Sequence, residues 1–181
     1  MECTDAALVG EQQRLGTRAF NALVDRLHGR IYDYLCWLTR DGALAADLTE
    51  ETFLKLWQRP PDPRRRSTHR AYAFKVALNL YREHLRRKGI EWAPLDDAAE
   101  LLPDPGPQPF ARLTQGQTQR AVREAALALP ELQRAVVVLH NLEGLTLREV
   151  ADALDVPIGT VKSRLASGFA MLRRALREWK E

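Results

Sequence analysis

The sequence predicts an all-α protein: two small helical domains joined by an extended acidic, proline-rich linker. The first is an N-terminal helical bundle, and the second is a C-terminal four-helix domain containing a helix-turn-helix. Three observations predict this. Apolar residues recur at spacings of three and four in both halves, and no stretch alternates as a strand does. The segment GIEWAPLDDAAELLPDPGPQPFA, Gly89 to Ala111, holds five of the ten prolines and five acids but no Lys or Arg, so it cannot form a long helix. The stretch LTLREVADALDVPIGTVKSRLASGF, Leu145 to Phe169, reads as two short helices around a bend. The expected division is 1–88, 89–111 and 112–181.

In the first domain, Phe20, Leu23, Val24, Leu27, Ile31, Tyr34, Leu35 and Leu38 predict a helix from about Gly16 to Thr39, ended by Asp41-Gly42. A second helix, about Ala43 to Gln58, turns Ala46, Phe53, Leu56 and Trp57 inward and stops at Arg59-Pro60-Pro61-Asp62-Pro63. Ser67 or Thr68 caps a third, about His69 to Lys88, with Tyr72, Val76, Leu80 and Tyr81 in packing positions. Downstream, Leu113 to Leu129 is helical, and Pro130 opens another helix through Leu139 that Gly144 ends. Thr146 and Glu149 fit a capping box for a short helix to Leu154. Pro157 suits the first turn of a last helix running to about Trp179.

Within the quoted stretch, Leu147, Val150, Ala151 and Leu154 form one apolar face, and Val156, Ile158, Val161 and Leu165 form its counterpart. The small Ala151 permits close approach, and Asp155 takes the turn position, where Asp tolerates a left-handed backbone. The second helix then presents Thr160, Lys162, Ser163, Ala166 and Ser167 outward for a DNA major groove, while Arg164, Arg173, Arg174 and Arg177 reach phosphates. Gly168 inside that helix costs about 1 kcal/mol relative to alanine. The block from Arg59 to Lys88 carries ten basic residues against two acids and precedes the acidic linker, so two different surfaces are addressed. Its arginines suit phosphates, and its aromatics Tyr72, Phe74 and Tyr81 either stack on unpaired bases or pack in the core.

Other classes find little support. No apolar run is long enough to span a membrane, and the start MECTDAALVGEQQ lacks the basic and apolar parts of a signal peptide, so no membrane insertion and a cytoplasmic location are expected. Cys3 and Cys36 make no disulfide framework, and His28, His69, His84 and His140 have no metal spacing. No cofactor, metal or catalytic residue is expected: there is no phosphate-cradling glycine loop, and Glu50-Glu51 has no neighbouring nucleophile. The helix-turn-helix alone leaves open a two-domain transcriptional regulator that binds duplex DNA without joining an RNA polymerase holoenzyme.

Three ordered blocks resemble the bacterial RNA polymerase sigma factors of the extracytoplasmic-function (ECF) group, over about Ala19 to Leu176. DLTEETFLKLW, Asp47 to Trp57, is similar to that family's core-binding helix. RAYAFKVALNLYREHLRRK, Arg70 to Lys88, is similar to its promoter-melting and −10-reading helix. LPELQRAVVVLHNLEGLTLREVADALDVPIGTVKSRL, Leu129 to Leu165, is similar to its −35-reading domain. The resemblance implies a non-enzymatic initiation factor whose partners are core RNA polymerase (the β′ clamp coiled coil and the β subunit), promoter DNA and an anti-sigma factor. Asp47, Glu50, Glu51, Phe53 and Leu54 would dock on the β′ coiled coil. Arg64, Arg65, Arg66, Ser67 and Thr68 with Asn79 would hold a base flipped from the −10 element, while Arg82, Arg86, Arg87 and Lys88 grip the adjoining backbone. Thr160, Lys162, Ser163, Arg164, Ala166 and Ser167 would meet the −35 element, and the acidic linker would thread the polymerase cleft.

The chain departs from the family pattern in places. Glu50 stands where Gln is frequent, and Tyr72 where Trp is preferred. After Arg164-Leu165 the family usually continues with basic residues, whereas this chain reads Ala-Ser-Gly-Phe. The −35 contacts are therefore expected to lean on Lys162, Ser163 and Arg164. The end at Lys180-Glu181 leads to the expectation of no appended regulatory domain.

Overall fold

The computed structural model describes residues 3–60, 68–90 and 117–178, with side chains for 16–60, 68–90 and 121–177. Among these residues there are seven α-helices and no strand, as the apolar spacing predicts. Helix α1 spans Cys3–Thr39, α2 Gly42–Gln58 and α3 His69–Arg87. In the second half, α4 spans Gln117–Ala128, α5 Glu131–Val137, α6 Leu147–Leu154 and α7 Ile158–Glu178. Residues 91–111 of the expected linker and the start of the expected helix at Leu113 lie outside the described residues, as do Arg64, Arg65, Arg66 and Ser67.

In the first half, α1 begins well before Gly16, and its turn comes one residue earlier than the Asp41-Gly42 break. Arg40 takes the left-handed conformation (φ 58°), and its amide still reaches the Cys36 carbonyl at 3.0 Å. Asp41 then caps α2, its carboxylate accepting from the amides of Ala43 (2.9 Å) and Leu44 (3.2 Å), so Gly42 is the first helical residue. The Thr49 and Thr52 hydroxyls donate to the carbonyls of Ala45 and Leu48, four residues back and both at 2.7 Å, which lets two polar side chains be buried on the inner face of α2. Thr68 rather than Ser67 caps α3, accepting from the Ala71 amide at 3.2 Å. Tyr34 and Phe74 meet edge-on, centroids 5.3 Å apart, where α1 and α3 cross.

The second half holds a feature that spacing alone does not show. After α5 the chain widens into one π-helical turn, Val138–Leu142, instead of stopping at Leu139. Its amide-to-carbonyl bonds span five and six residues, Glu143 to Val138 (2.9 Å) and Leu145 to Leu139 (3.0 Å), and Gly144 follows with φ 65°. His140 Nδ1 lies 2.7 Å from the Leu145 carbonyl and holds the turn from inside.

The capping box opens α6 as predicted: Thr146 Oγ1 accepts from the Glu149 amide at 3.2 Å, and the Thr146 amide donates to Glu149 at 2.9 Å. Asp155 ends α6 in the left-handed region, φ 60° and ψ 47°. Val150, Leu154, Val161 and Leu165 are buried between α6 and α7. Ile158, assigned to that apolar face from its spacing, is 47% exposed, because it stands in the first turn of α7 ahead of the crossing.

The two halves are not separate heads in this structure. One cluster of buried side chains runs from Leu27, Ile31 and Tyr34 of α1 through Phe74 and Leu78 of α3 to Val136, Leu154 and Val161 of the second half. Helix α3 lies along α6, and α1 touches α5 and the π turn. Polar bridges reinforce this contact. Arg30 Nε donates to Glu143 at 2.8 Å, Arg134 donates to the Trp37 carbonyl at 3.2 Å, and the Tyr81 hydroxyl reaches Glu131 as well as the Leu38 carbonyl (3.1 Å).

Close packing also revises the account of Gly168. A Cβ there would stand 3.0 Å from Val137 Cγ2 and 3.5 Å from Gln133 Cβ, so the glycine lets α5 cross α7 at short range. Val137 is fully buried and β-branched, with little room to yield. Gly168→Ala should therefore lower stability by about 1 kcal/mol, the overpacking exceeding the gain in helix propensity. Denaturant unfolding checks this, and a more stable variant would contradict it.

Candidate nucleic-acid and polymerase interfaces

Three surfaces carry the residues singled out by sequence. The first is the outer face of α2. Asp47, Glu50, Leu54 and Trp57 recur on successive turns and are exposed, Leu54 by 56% and Trp57 by 51%, opposite the buried Thr49, Thr52 and Leu56. Glu51 sits at the edge of this face, 3.5 Å from Lys55 one turn on. Two expectations need correcting. Phe53, expected at the contact surface, is 7% exposed and stacks on His28 (5.7 Å, 16° between planes), so it shapes the face from beneath. Trp57, expected inward, packs edge-on against Phe20 (4.9 Å) and leaves half its surface open, because the neighbouring Leu56 takes the core position.

The second surface belongs to α3. Asn79 is exposed midway along it, and Arg86, Arg87 and Lys88 are exposed at its end. Glu83 links the first two arginines, at 2.8 Å to Arg86 and 3.2 Å to Arg87, and their hydrogen bonds hold its carboxyl below the ordinary range. Arg82 is half-buried; burial lowers its pKa, and the nearby Arg164 guanidinium adds to the effect. Of the aromatics, Phe74 and Tyr81 are core residues, and Tyr72 is half-buried with its hydroxyl 3.5 Å from the Arg59 carbonyl at the end of α2. Base stacking is thereby removed from Phe74 and Tyr81. Thr68 is the described member of the loop expected to hold a flipped base, and the other four lie outside the described residues.

The third surface is the start of α7. Lys162 is exposed, and Thr160, Ser163, Arg164 and Ser167 are half-buried around it, with Ser163 Oγ donating to the Thr160 carbonyl at 3.0 Å. Ala166, expected outward, is 5% exposed, and Phe169 is 7% exposed. Both are interior positions of α7 rather than outward ones. Three positions of the Ala-Ser-Gly-Phe stretch, Ala166, Gly168 and Phe169, thus serve the core.

Sequence reasoning missed the acids that join these surfaces. Glu149 takes a hydrogen bond from Thr68 Oγ1 at 2.8 Å and stands 3.3 Å from Arg70, which also donates to the Gly144 carbonyl at 3.0 Å. Burial works against the Glu149 carboxylate, yet the Thr146 amide, the Thr68 and Thr146 hydroxyls and Arg70 together hold it below the ordinary range. Asp155 pairs with Lys75 of α3 at 3.1 Å. Glu143 is buried; desolvation raises its pKa, and Arg30 pulls it back. Capping-box logic identifies one of the contacts Glu149 makes, but no local pattern reports partners about eighty residues away. Among the described residues no cluster of His, Cys, Asp and Glu could hold a metal ion, and no helix is long and apolar enough to cross a membrane.

Comparison with known proteins agrees with this layout. The family model for sigma-70 region 2 matches residues 23–90, which hold most of α1 with α2 and α3. The model for sigma-70 region 4 matches 119–177, which hold α4 to α7. The ECF RNA polymerase sigma-E factor of Haemophilus influenzae is 26% identical over 185 residues, covering 97% of this chain and 96% of its own. A probable RNA polymerase sigma factor, RfaY, of Xanthomonas campestris is 27% identical over 162 residues; the match covers 88% of this chain but 40% of that protein. The fold is similar to that of the sigma factor RpoE in its co-crystal with the anti-sigma factor NepR from Bartonella quintana, with a TM-score of 0.67 at 21% identity over 88% of this chain and 98% of that one. Two family models in the right order, on two helical units that carry the exposed acidic face and the capped helix-turn-helix, establish that the chain belongs to the sigma-70 family of RNA polymerase sigma factors, in its extracytoplasmic-function group.

Proposed function

We propose that this chain joins core RNA polymerase and directs it to a small set of promoters, dividing the work among the three surfaces. The observation that carries the reading is the face of α2, where two acids and two large apolar side chains stand exposed on a helix whose opposite side is core. Asp47, Glu50 and Glu51 would meet basic residues of the β′ clamp coiled coil around an apolar centre of Leu54 and Trp57, with Phe53 as the supporting layer. Exposed apolar residues ringed by charge are the usual composition of a protein–protein contact. A regulator that only binds duplex DNA has no use for such a face.

On DNA, Asn79 and the loop ending at Thr68 would receive a base flipped from the −10 element. Extrusion costs a few kcal/mol of unstacking, to be offset by a fitted pocket and by phosphate contacts from Arg82, Arg86, Arg87 and Lys88. Lys162, Ser163 and Arg164, with Thr160 and Ser167 beside them, would read the −35 element. The acidic linker would follow the polymerase cleft, an anti-sigma protein would regulate the chain, and the site of action would be the cytoplasm. The chain itself would make and break no covalent bond.

Reconstitution with purified core polymerase on fragmented host DNA, followed by sequencing of the transcripts, tests the reading. RNA starting at defined positions supports it. Failure to bind the polymerase, together with tight binding to duplex DNA alone, would overturn it in favour of a simple regulator.

Two sets of variants test the division of labour. Glu50→Lys with Leu54→Ala should weaken polymerase binding by at least about tenfold, in the range for loss of a central contact, while the melting temperature stays close to wild type. Unchanged affinity would remove α2 from the interface. Asn79→Ala should reduce the permanganate reactivity of unpaired thymines at the −10 element and spare closed-complex formation. Arg164→Ala should instead lower initiation at promoters that need the −35 element, by about 1–3 kcal/mol for a lost guanidinium contact. Equal loss of polymerase binding in either variant would count against the assignment.

A further inference from the structure

Helix α3 carries an acid where its proposed work calls for cations. Asn79, Glu83, Arg86 and Arg87 follow one another at intervals of four, three and one residues, so they share one side of the helix over about 12 Å of its length. Asn79 is the residue assigned to the flipped base, and Arg86, Arg87 and Lys88 form the grip on the adjoining backbone. Glu83 stands between the two. Arg86 donates to both of its carboxylate oxygens, from Nη2 at 2.8 and 2.9 Å and from Nε at 3.1 Å, and Arg87 Nε donates to it at 3.2 Å. Both arginines stay open to solvent, keeping 76% and 68% of their side-chain surface. They are within reach of a phosphate and already occupied by a carboxylate.

Helix stability does not account for this acid. Exposed ion pairs three or four residues apart contribute little, and the C-terminal end of a helix favours cations without help. What Glu83 changes is the charge that approaching DNA meets. Resting on the reading of α3 as the helix that serves the −10 element, we propose that Glu83 is a specificity-determining residue. It acts as a tethered stand-in for phosphate, occupying Arg86 and Arg87 until the DNA backbone competes for them. A phosphate arriving alone must displace the carboxylate and gains little over it. A phosphate that arrives beside a base held by Asn79 displaces it with the base contact already made, so the grip is strong only at a fitting sequence. Weaker binding to every other sequence is as much a source of specificity as tighter binding to the right one. The same carboxylate holds both guanidinium groups in one arrangement before DNA arrives, which limits the side-chain freedom left to lose on binding.

Glu83→Gln keeps the size and polarity of the side chain and removes its charge. The first probe is a mixed-sequence duplex, titrated against the full chain without polymerase over a series of salt concentrations. One further phosphate engaged by a freed guanidinium should steepen the dependence of log affinity on log salt by about 0.9, which at about 0.1 M salt is a gain of roughly five- to tenfold. Asp25→Asn removes an exposed acid of α1 and controls for net charge; it should leave the slope unchanged. The second readout is transcription with core polymerase, from a promoter and from the same promoter with its −10 element scrambled. E83Q should narrow the ratio of the two by a similar factor, and E83D, which keeps the charge, should restore it. An unchanged salt slope in E83Q overturns the proposal. So does a gain matched by Asp25→Asn, or a gain that leaves the promoter ratio intact. The double variant R86A/R87A separates this proposal from the reading beneath it. If that variant binds the duplex as tightly as the wild type, the end of α3 is no backbone contact and both readings fall. If it binds more weakly while E83Q matches the wild type, the role of Glu83 alone is lost.

Discussion

The structure depends most on one carboxylate that answers to three neighbours. Glu149 closes the capping box of α6 on Thr146, takes a hydrogen bond from Thr68 at the cap of α3, and faces Arg70. A helix N-terminus offers amides without intrahelical partners, and a carboxylate placed there satisfies them while lowering its own pKa. Here the same charge also sits where the first turn of α3 meets α6. The caps of two helices, α3 and α6, are thus coupled across some eighty residues of sequence through a single side chain. The position of α3 relative to α6 follows from that coupling and from the apolar contact beneath it.

Packing explains why few of the positions expected outward on α7 remain open. The close crossing of α5 and α7 requires Gly168, and Ala166 and Phe169 fill the space on either side. Three of the four positions that depart from the family's basic run are thus committed to the interior. Lys162, which is exposed, and Arg164, which is half-buried, stand in the first two turns of α7, next to the left-handed turn at Asp155. Rigidity there is supplied by the capping box before α6 and by the buried Val150, Leu154, Val161 and Leu165 between the helices.

Much of this is legible in the sequence because helix periodicity and end signals are local. The α1 core residues, the Thr146 cap, the left-handed Asp155 and the buried face of α6 all follow from spacing within a few turns, and the cap of α3 is narrowed to Ser67 or Thr68. Errors arise where local spacing cannot decide between neighbours. Leu56 and Trp57 compete for one core position, and Leu56 takes it. Ile158 falls on the apolar stripe but in a turn the crossing does not reach. Ala166 reads as outward because a small side chain carries no apolar signal strong enough to mark it as buried. Hidden altogether are Arg30–Glu143, Lys75–Asp155 and Thr68–Glu149, since charged residues far apart in sequence look solvated until the fold brings them together.

The central proposal is that the exposed face of α2 joins this sigma factor to core RNA polymerase. Photo-crosslinking from a reactive group placed at Leu54, in a complex with purified core polymerase that initiates transcription, tests it most directly. Crosslinks from that position to the β′ clamp coiled coil are the predicted result. An active complex in which the position crosslinks to no polymerase subunit would contradict the account, because the chain would then be joined to the polymerase by another surface.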